Sequence, residues 1–254
     1  MAELGKRQGV VGGMEGLRIG TAGWAIPRMV ADRFPAEGSA LQRYAARFNA
    51  AEINSTFHRP HRPTTYARWA ESVPAGFRFA VKLPKTITHR QRLVDCGELL
   101  GGFADEIAGL GDRRGPLLVQ LPPSLAFEAE VVESFFSEMR AILPGPIACE
   151  PRHPGWFEPS ADALLAQLTV ARVAADPALA PGAECPGGWQ GLAYIRLHGT
   201  PRTYWSAYDE DALHVWAERV RQALAAADEC WIVFDNTAGG HAAGNALGLR
   251  DLLG

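Results

Sequence analysis

The chain has 254 residues, 47% hydrophobic and 21% charged, with a formal net charge of −3. That balance is typical of a water-soluble folded protein and excludes a global field that would gather nucleic acid or anionic membrane. No apolar run approaches the roughly 18 residues needed to cross a bilayer, so no membrane partner is expected.

Residues 1–16, "MAELGKRQGVVGGMEG", are Gly-rich and lack the apolar stretch of an export signal. They are expected to form a flexible tail ahead of a single domain over residues 17–254. Eight short apolar, β-branched runs then follow, each ending in polar or turn residues: 17–23, 51–57, 78–84, 117–123, 147–152, 170–176, 193–199 and 230–236. Between most of them the pattern is helical. "ALQRYAARF" places Leu41, Tyr44, Ala45 and Phe48 on one face, "PTTYARWA" opens on Pro63, and "LHVWAERVRQAL" aligns Leu213, Trp216, Val220 and Leu224. Strands alternating with helices imply βαβ units and a parallel sheet, and eight of them at this length imply a (β/α)₈ TIM barrel. The Pro/Gly-rich stretch 176–191 predicts an irregular return after the sixth strand. Cys96, Cys149, Cys185 and Cys230 form neither a C-x-x-C pair nor a zinc-ligand spacing. A cytoplasmic location is the expectation.

In such a barrel the active site lies at the C-terminal ends of the strands. Those ends supply Thr21 and Trp24, Glu52 and Asn54, Lys82, Gln120, Glu150 with Arg152 and His153, Asp176, Arg196 with His198, and Asp235 with Asn236. Period-two alternation puts Glu52 with Asn54, Glu150 with Arg152, and Arg196 with His198 on common faces. Such charges can simply pair and seal the barrel end. A buried ion network often adds little stability over an apolar core, which favours a site.

Seven strings in order, "IGTAGWAIP", "AEINSTFHRP", "RWAESVPAGFRFAVKLPKTITH", "LLVQLPPS", "CEPRHPGWF", "YIRLHGT" followed by "YWSAY", and "VFDNTAGGHAAGNAL", resemble the DUF72 (YecE-like) family from about residue 17 to the end. The resemblance implies a TIM barrel but no settled activity. It implies that Glu52, Asn54, Lys82, His89, Gln120, Glu150, Arg152, Arg196 and His198 occupy motif positions. Two departures stand out: His58 replaces the usual Tyr, and Asp235 replaces the usual Asn. The added charge of Asp235 weakens an anion site beside the eighth strand.

Several chemistries compete for these residues. The common barrel glycosidases carry carboxylates after strands four and seven; Gln120 and the Arg196/His198 pair stand there instead, which leaves only Glu52 and Glu150. Trp24, Phe57, Trp156, Tyr204 and Tyr208 offer rings for stacking or for packing. A divalent metal would draw on Glu52, Glu150, Asp176, His153 and His198, as in metal-dependent phosphodiesterases of the endonuclease IV type, against the repulsion of Lys82, Arg152 and Arg196. No cofactor is expected otherwise. Metal-free handling of a small anionic, phosphorylated substrate suits the mixed charge better, by a hydrolase or lyase. Arg152, Arg196 and Lys82 would hold the anion, His198 or His153 would move a proton, and Glu150 or Glu52 would orient the imidazole or act as base. Lys82 as a Schiff-base nucleophile would be blunted by neighbouring carboxylates that raise its pKa. Gly239 and Gly240, before a helix, offer backbone N–H groups to a phosphate.

The expected catalytic set is therefore Glu52, Lys82, Glu150 and His198. Trp24, Asn54, His89, Gln120, Arg152, Arg196, Tyr204, Tyr208 and Asn236 are expected to bind substrate. The alternative is a nucleic-acid contact through a basic rim formed by "HRPHRP" (58–63) and "KTITHRQR" (85–92), with Arg59, Arg62, Lys85, Arg90 and Arg92 near His58, His61 and His89.

Overall fold

Each apolar run with alternating side chains forms a strand, and the segments with apolar residues three and four apart wind into helices. The computed structural model describes residues 15–254, so nearly all of the expected tail lies outside the described residues. The strands are β1 (Leu17–Thr21), β2 (Ala50–Ile53), β3 (Arg78–Lys82), β4 (Arg114–Gln120), β5 (Ile147–Glu150), β6 (Val170–Arg172), β7 (Ala174–Asp176), β8 (Gly187–Gly188), β9 (Leu192–Leu197) and β10 (Glu229–Phe234). The α-helices are α1 (Ala40–Ala45), α2 (Pro63–Glu71), α3 (Gly97–Ile107), α4 (Ala129–Ile142), α5 (Pro159–Gln167), α6 (Glu210–Ala226) and α7 (Ala242–Leu253). Local chemistry sets the helix starts. Ser39 and Gln42 form a reciprocal capping box on α1, prolines open α2 and α5, and the Asp209 carboxylate accepts from Ala212 N at the start of α6.

All eight expected segments contain strand. The sixth is broken at Val173 into β6 and β7, and residues 177–191 return without an α-helix, as the prolines and glycines predicted. The short β8 in that return pairs antiparallel with β6. The other ladders are parallel and form two sheets, ordered β1-β10-β9-β7 and β2-β3-β4-β5-β6-β8. Two contacts span the sheets. Gly23 N donates to Glu52 O at 2.8 Å beside an isolated parallel bridge between Ala22 and Glu52. Val173 N, between β6 and β7, donates to Cys149 O at 2.8 Å.

Alternation divides the apolar side chains into two clusters. The larger joins one face of the strands to the helices and contains Phe79, Val81, Ile195, Ile232, Phe136 and Leu247. The smaller contains Ala50, Ala80, Leu118, Ala148, Ala171, Val173, Leu192, Tyr194, Trp231 and Val233, and so draws on strands of both sheets. Its floor of small residues leaves room for the Tyr194 and Trp231 rings, which stack at 6.0 Å.

The seam between β1 and β2 depends on a close backbone approach, because a Cβ at Gly20 would lie 2.1 Å from Ala50 O. Gly20→Ala is therefore expected to cost about 1–3 kcal/mol by overpacking, measured by urea unfolding. Gly102→Ala on α3, where a Cβ meets nothing within 4 Å, should instead stabilise by about 0.5–1 kcal/mol. Equal effects would remove the seam's special status.

Candidate active site

The residues two positions beyond the smaller apolar cluster form the layer above it. Glu52 follows Ala50, Lys82 follows Ala80, Gln120 follows Leu118, Glu150 follows Ala148, Arg196 follows Tyr194 and Asp235 follows Val233. All six are buried. Strand register brings Gln120 beside Glu150.

Arg196, with no exposed surface, is the hub. Its Nε and Nη2 donate to Glu52 Oε2 and Oε1 at 3.0 and 2.7 Å, a two-pronged pairing. Nη1 donates to Glu150 Oε2 at 2.5 Å, and Nη2 also reaches Asp235 Oδ2 at 3.0 Å. The Tyr194 hydroxyl donates to Glu52 Oε2 at 3.0 Å. Burial alone would push the Glu150 carboxyl up, but Arg196, His198 and Arg152 together hold it well below the usual carboxylate range. Asp235 is likewise lowered against burial, by Arg196, His198 and Lys82.

His198 lies between two carboxylates, with Nδ1 3.1 Å from Asp235 Oδ2 and Nε2 3.0 Å from Glu150 Oε1. A neutral imidazole would aim a lone pair at one of these acceptors, so the geometry demands a donor on each nitrogen. Burial disfavours the imidazolium, yet the Glu150 charge and both hydrogen bonds raise the His198 pKa. The two carboxylates thus favour the positively charged form of His198. Glu150 contacts the imidazole, and both Glu150 and Glu52 are paired with Arg196.

Lys82 differs from these partners. Its side chain is buried, with Nζ 4.3 Å from the Phe57 ring centroid, and among the described residues Nζ has no hydrogen-bond or ion-pair partner. Burial and then the Arg196 charge push its pKa down to about 8, against the pull of Glu52, Glu150 and Asp235. The nearby carboxylates do pull it upward, as expected, but burial and the Arg196 charge outweigh them. Arg152 and Tyr204 stand at the edge. Arg152 Nη2 lies 3.3 Å from Glu150 Oε1 and donates to the Tyr204 hydroxyl at 3.4 Å, while its buried Nε has no partner among the described residues. The Tyr204 ring packs edge-on to His198 and is 37% exposed. His89, on a short π-helical turn (Thr86–Arg90), sits against Phe57. Burial, then Lys82, Arg152 and Lys85, lower its pKa, so the local field there is positive.

Other expected site residues are placed elsewhere. Trp24 follows Gly23 (φ +78°) and packs on Trp69 and Phe79, on the helix side of the strands. Trp156 is buried against Phe127 and donates to Leu125 O. The Tyr208 hydroxyl is spent on Asp176 Oδ2 at 2.6 Å and Gly199 N at 2.9 Å. Asn236 is buried and donates to Ser206 O and Asn245 Oδ1. Both hold the 199–208 loop in place, and Asn236 Oδ1 has no partner among the described residues. Gln120 donates to Leu121 O, and Asn54, half-buried beyond the end of β2, has its Oδ1 unpartnered among the described residues. The expected phosphate cradle is absent: Gly239 N and Gly240 N donate to Tyr204 O and Thr237 O. Tyr194 is the member that sequence reasoning left out, although alternation from Arg196 points to it two residues earlier; Asp235 stands among the strand ends but outside the expected catalytic and binding sets.

The donors for a divalent metal do not converge. Among the described residues no three of His, Cys, Asp or Glu form a metal-holding group. Asp176 is paired with Thr200 and Tyr208, and His153 Nδ1 accepts from Gly155 N. Phe57, in contact with both His58 and His89, brings the two basic loops together. His61 turns inward to Ser55 and Trp69, and Arg92 donates to Ser124. Among the described residues no helix is long and apolar enough to cross a membrane.

Residues 18–254 match the family model described as "Protein of unknown function DUF72". YecE of Escherichia coli K12 is 32% identical over 142 residues, or 55% of this chain and 49% of YecE, so the match spans about half of that relative's length. YunF of Bacillus subtilis strain 168 is 21% identical, with 92% of this chain and 94% of YunF covered. The fold is shared with two solved DUF72 family proteins. That of Enterococcus faecalis V583 has a TM-score of 0.78 at 21% identity, over 93% of this chain and 95% of the other. That of Thermotoga maritima MSB8 has a TM-score of 0.77 at 24% identity, over 93% and 98%.

Arg196→Met would strip three buried carboxylates of their shared counter-charge, at an expected cost of about 3–5 kcal/mol at neutral pH. In the parent, the lowered Glu150 and Asp235 contribute stability above their unfolded pKa values and lose it as pH falls through the folded ones. In the variant, burial without Arg196 raises those carboxyls, so its deficit should shrink from pH 7 to pH 5. Urea unfolding of both proteins across that range checks the sign; a pH-independent deficit would show that the carboxylates are not the cause.

Proposed function

The chain belongs to the DUF72 family, which is defined without an activity, and from its own side chains we propose an enzyme acting on a small anionic, phosphate-bearing substrate where the strands end. On this reading the two sheets are one closed (β/α)₈ ring. The bridge between Ala22 and Glu52 supports closure on one side. On the other, support comes from the Val173 bond to Cys149 and the pairing of β7 with β9. The smaller apolar cluster would then be the barrel interior and the charged layer its mouth.

One observation carries the anion reading. Glu52, Glu150 and Asp235 are balanced by Arg196, His198 and Arg152, which leaves Lys82 as a buried cation without a counter-charge. An unpaired buried charge is costly, and an incoming anion relieves it. Arg152, half-buried at the edge, adds a donor fork suited to phosphate. The Arg196 network would serve as a rigid floor that fixes the geometry while Lys82 and Arg152 meet the ligand. The reaction would be a hydrolysis or a lyase-type bond cleavage, without a metal, since the carboxylates that would bind one are engaged.

Calorimetric titration with inorganic phosphate and glycerol phosphate tests this. Lys82→Met should weaken binding about tenfold or more, the worth of a hydrogen bond to a charged group, while Arg62→Ala on the rim should leave it unchanged. In a phosphoester screen, Glu150→Gln should lose most of any activity the parent shows. Salt-sensitive oligonucleotide binding that ignores Lys82 and depends on Arg62 would overturn the reading and move the function to the rim.

A further inference from the structure

The environment of Lys82 supports a narrower statement about the same site, and it rests on the anion reading above. We infer that Lys82 is an amine nucleophile that forms an imine with an anionic aldehyde or ketone, so that the substrate class is a carbonyl compound carrying a carboxylate or phosphate.

Two geometric observations carry it. The first is the absence of any partner for Nζ among the described residues, in a layer where every neighbouring carboxylate is already engaged. A lysine serving only as a structural cation would be ion-paired here; this one has the Phe57 ring beneath it. The second is the choice of residue. Of the 25 basic residues only Lys6, Lys82 and Lys85 are lysines. Arginine is the better phosphate fork and cannot give up its proton, whereas lysine can become a neutral nucleophile when buried. In a chain that uses arginine for nearly all its other cations, a lysine at the mouth fits a need for a free amine. Its lowered pKa, about 8, agrees with this and leaves about a tenth of it neutral at pH 7.

The step balances without a further reactant. The Nζ lone pair attacks the carbonyl carbon, the N–C bond forms, and the carbonyl π pair moves to oxygen, which takes the proton shed by nitrogen. A second proton, from solvent, lets that oxygen leave as water and gives a protonated imine. Arg152, with its partly exposed guanidinium and unpartnered Nε, supplies the positive surroundings for the substrate's anionic group.

Borohydride trapping tests the inference on the intact protein. The parent is incubated with cyanoborohydride and, separately, pyruvate, glyoxylate, dihydroxyacetone phosphate or neutral acetone, then read by intact mass and peptide mapping. One reduced adduct on Lys82, at least tenfold ahead of Lys85 and Lys6, is expected with one or more of the anionic carbonyls. The carboxylate and phosphate arms distinguish the two kinds of anionic group. Acetone should label Lys82 poorly, and inorganic phosphate should slow the reaction. Labelling should quicken as pH rises through about 8, where Lys82 loses its proton among Glu52, Glu150, Arg196, Asp235 and His89. Lys82→Arg should abolish the adduct and Lys85→Arg should not; mapping in the parent identifies the lysine even where Lys82→Arg does not fold. Labelling spread evenly over the three lysines, or none at all, overturns the inference. If phosphate still binds in a Lys82-dependent way, the anion reading survives that result. Acetone labelling Lys82 as fast as pyruvate would remove the anionic substrate class.

Discussion

A single guanidinium organises the charged layer. Arg196 has no exposed surface and reaches three carboxylates from three separate parts of the chain, so it ties β2, β5 and the end of β10 to β9. A buried charge of this kind is tolerated only when its partners are well placed. The partners are in turn held by Tyr194, His198 and Arg152. Removing any one leaves a neighbour with an unmatched charge in a low-dielectric setting. The layer therefore behaves as a unit, and its geometry depends on strands from both sheets meeting around one space.

That dependence explains why Lys82 is distinctive. Charge balance in the layer is reached without it, so its proton is the one whose loss disturbs the network least. His198 illustrates the opposite case. An imidazole is often the group that titrates near neutrality, but two carboxylates on its two nitrogens favour its protonated form. Surroundings shift the two residue types in opposite directions: the histidine toward its charged form and the lysine toward its neutral one.

Much of the fold was legible in the sequence because strand and helix periodicity are local. The eight apolar runs, the capped helices and the irregular return after Asp176 follow from residue spacing, and the alternation that sets Glu52, Glu150 and Arg196 in one layer is a period-two rule. What was not legible depends on residues far apart in the chain. Asp235 reads in isolation as a charge that would repel an anion, but Arg196 and His198 compensate for it. Lys82 reads as a lysine among carboxylates, with a raised pKa, until its burial and the Arg196 charge prove to outweigh them. Trp24 and Tyr208 sit near strand ends, where position alone suggests a ligand wall. Gly23 lies just ahead of a Trp24 ring that packs among the helices, and Asp176 anchors the Tyr208 hydroxyl. Sequence position located the layer; charge pairing and ring direction decided the role of each residue in it.

The same reasoning separates a rigid interior from an adaptable edge. Among the residues around the layer, those with every polar atom matched, such as Arg196 and Tyr208, lie deep or at loop anchors, where a shift would break several bonds together. Those with an unmatched atom among the described residues are Lys82, Arg152 through Nε and Asn54 through Oδ1 on one side, and Asn236 through Oδ1 and Trp231 through Nε1 on the other. Buried polar groups are nearly always paired in folded proteins, so such exceptions call for a physical cause. Lys82, Arg152 and Asn54 come from the ends of β3, β5 and β2, strands whose neighbours run in the order β2-β3-β4-β5, whereas Trp231 and Asn236 belong to β10 and its end. A ligand that satisfied those three would sit toward that side of the layer. The three groups are an amine, a guanidinium N–H and an amide oxygen: two sites for an anion or an electrophilic carbon, and one acceptor for a hydroxyl. That combination suits a small hydroxylated anion better than an extended polymer, whose repeating charges would need the exposed rim.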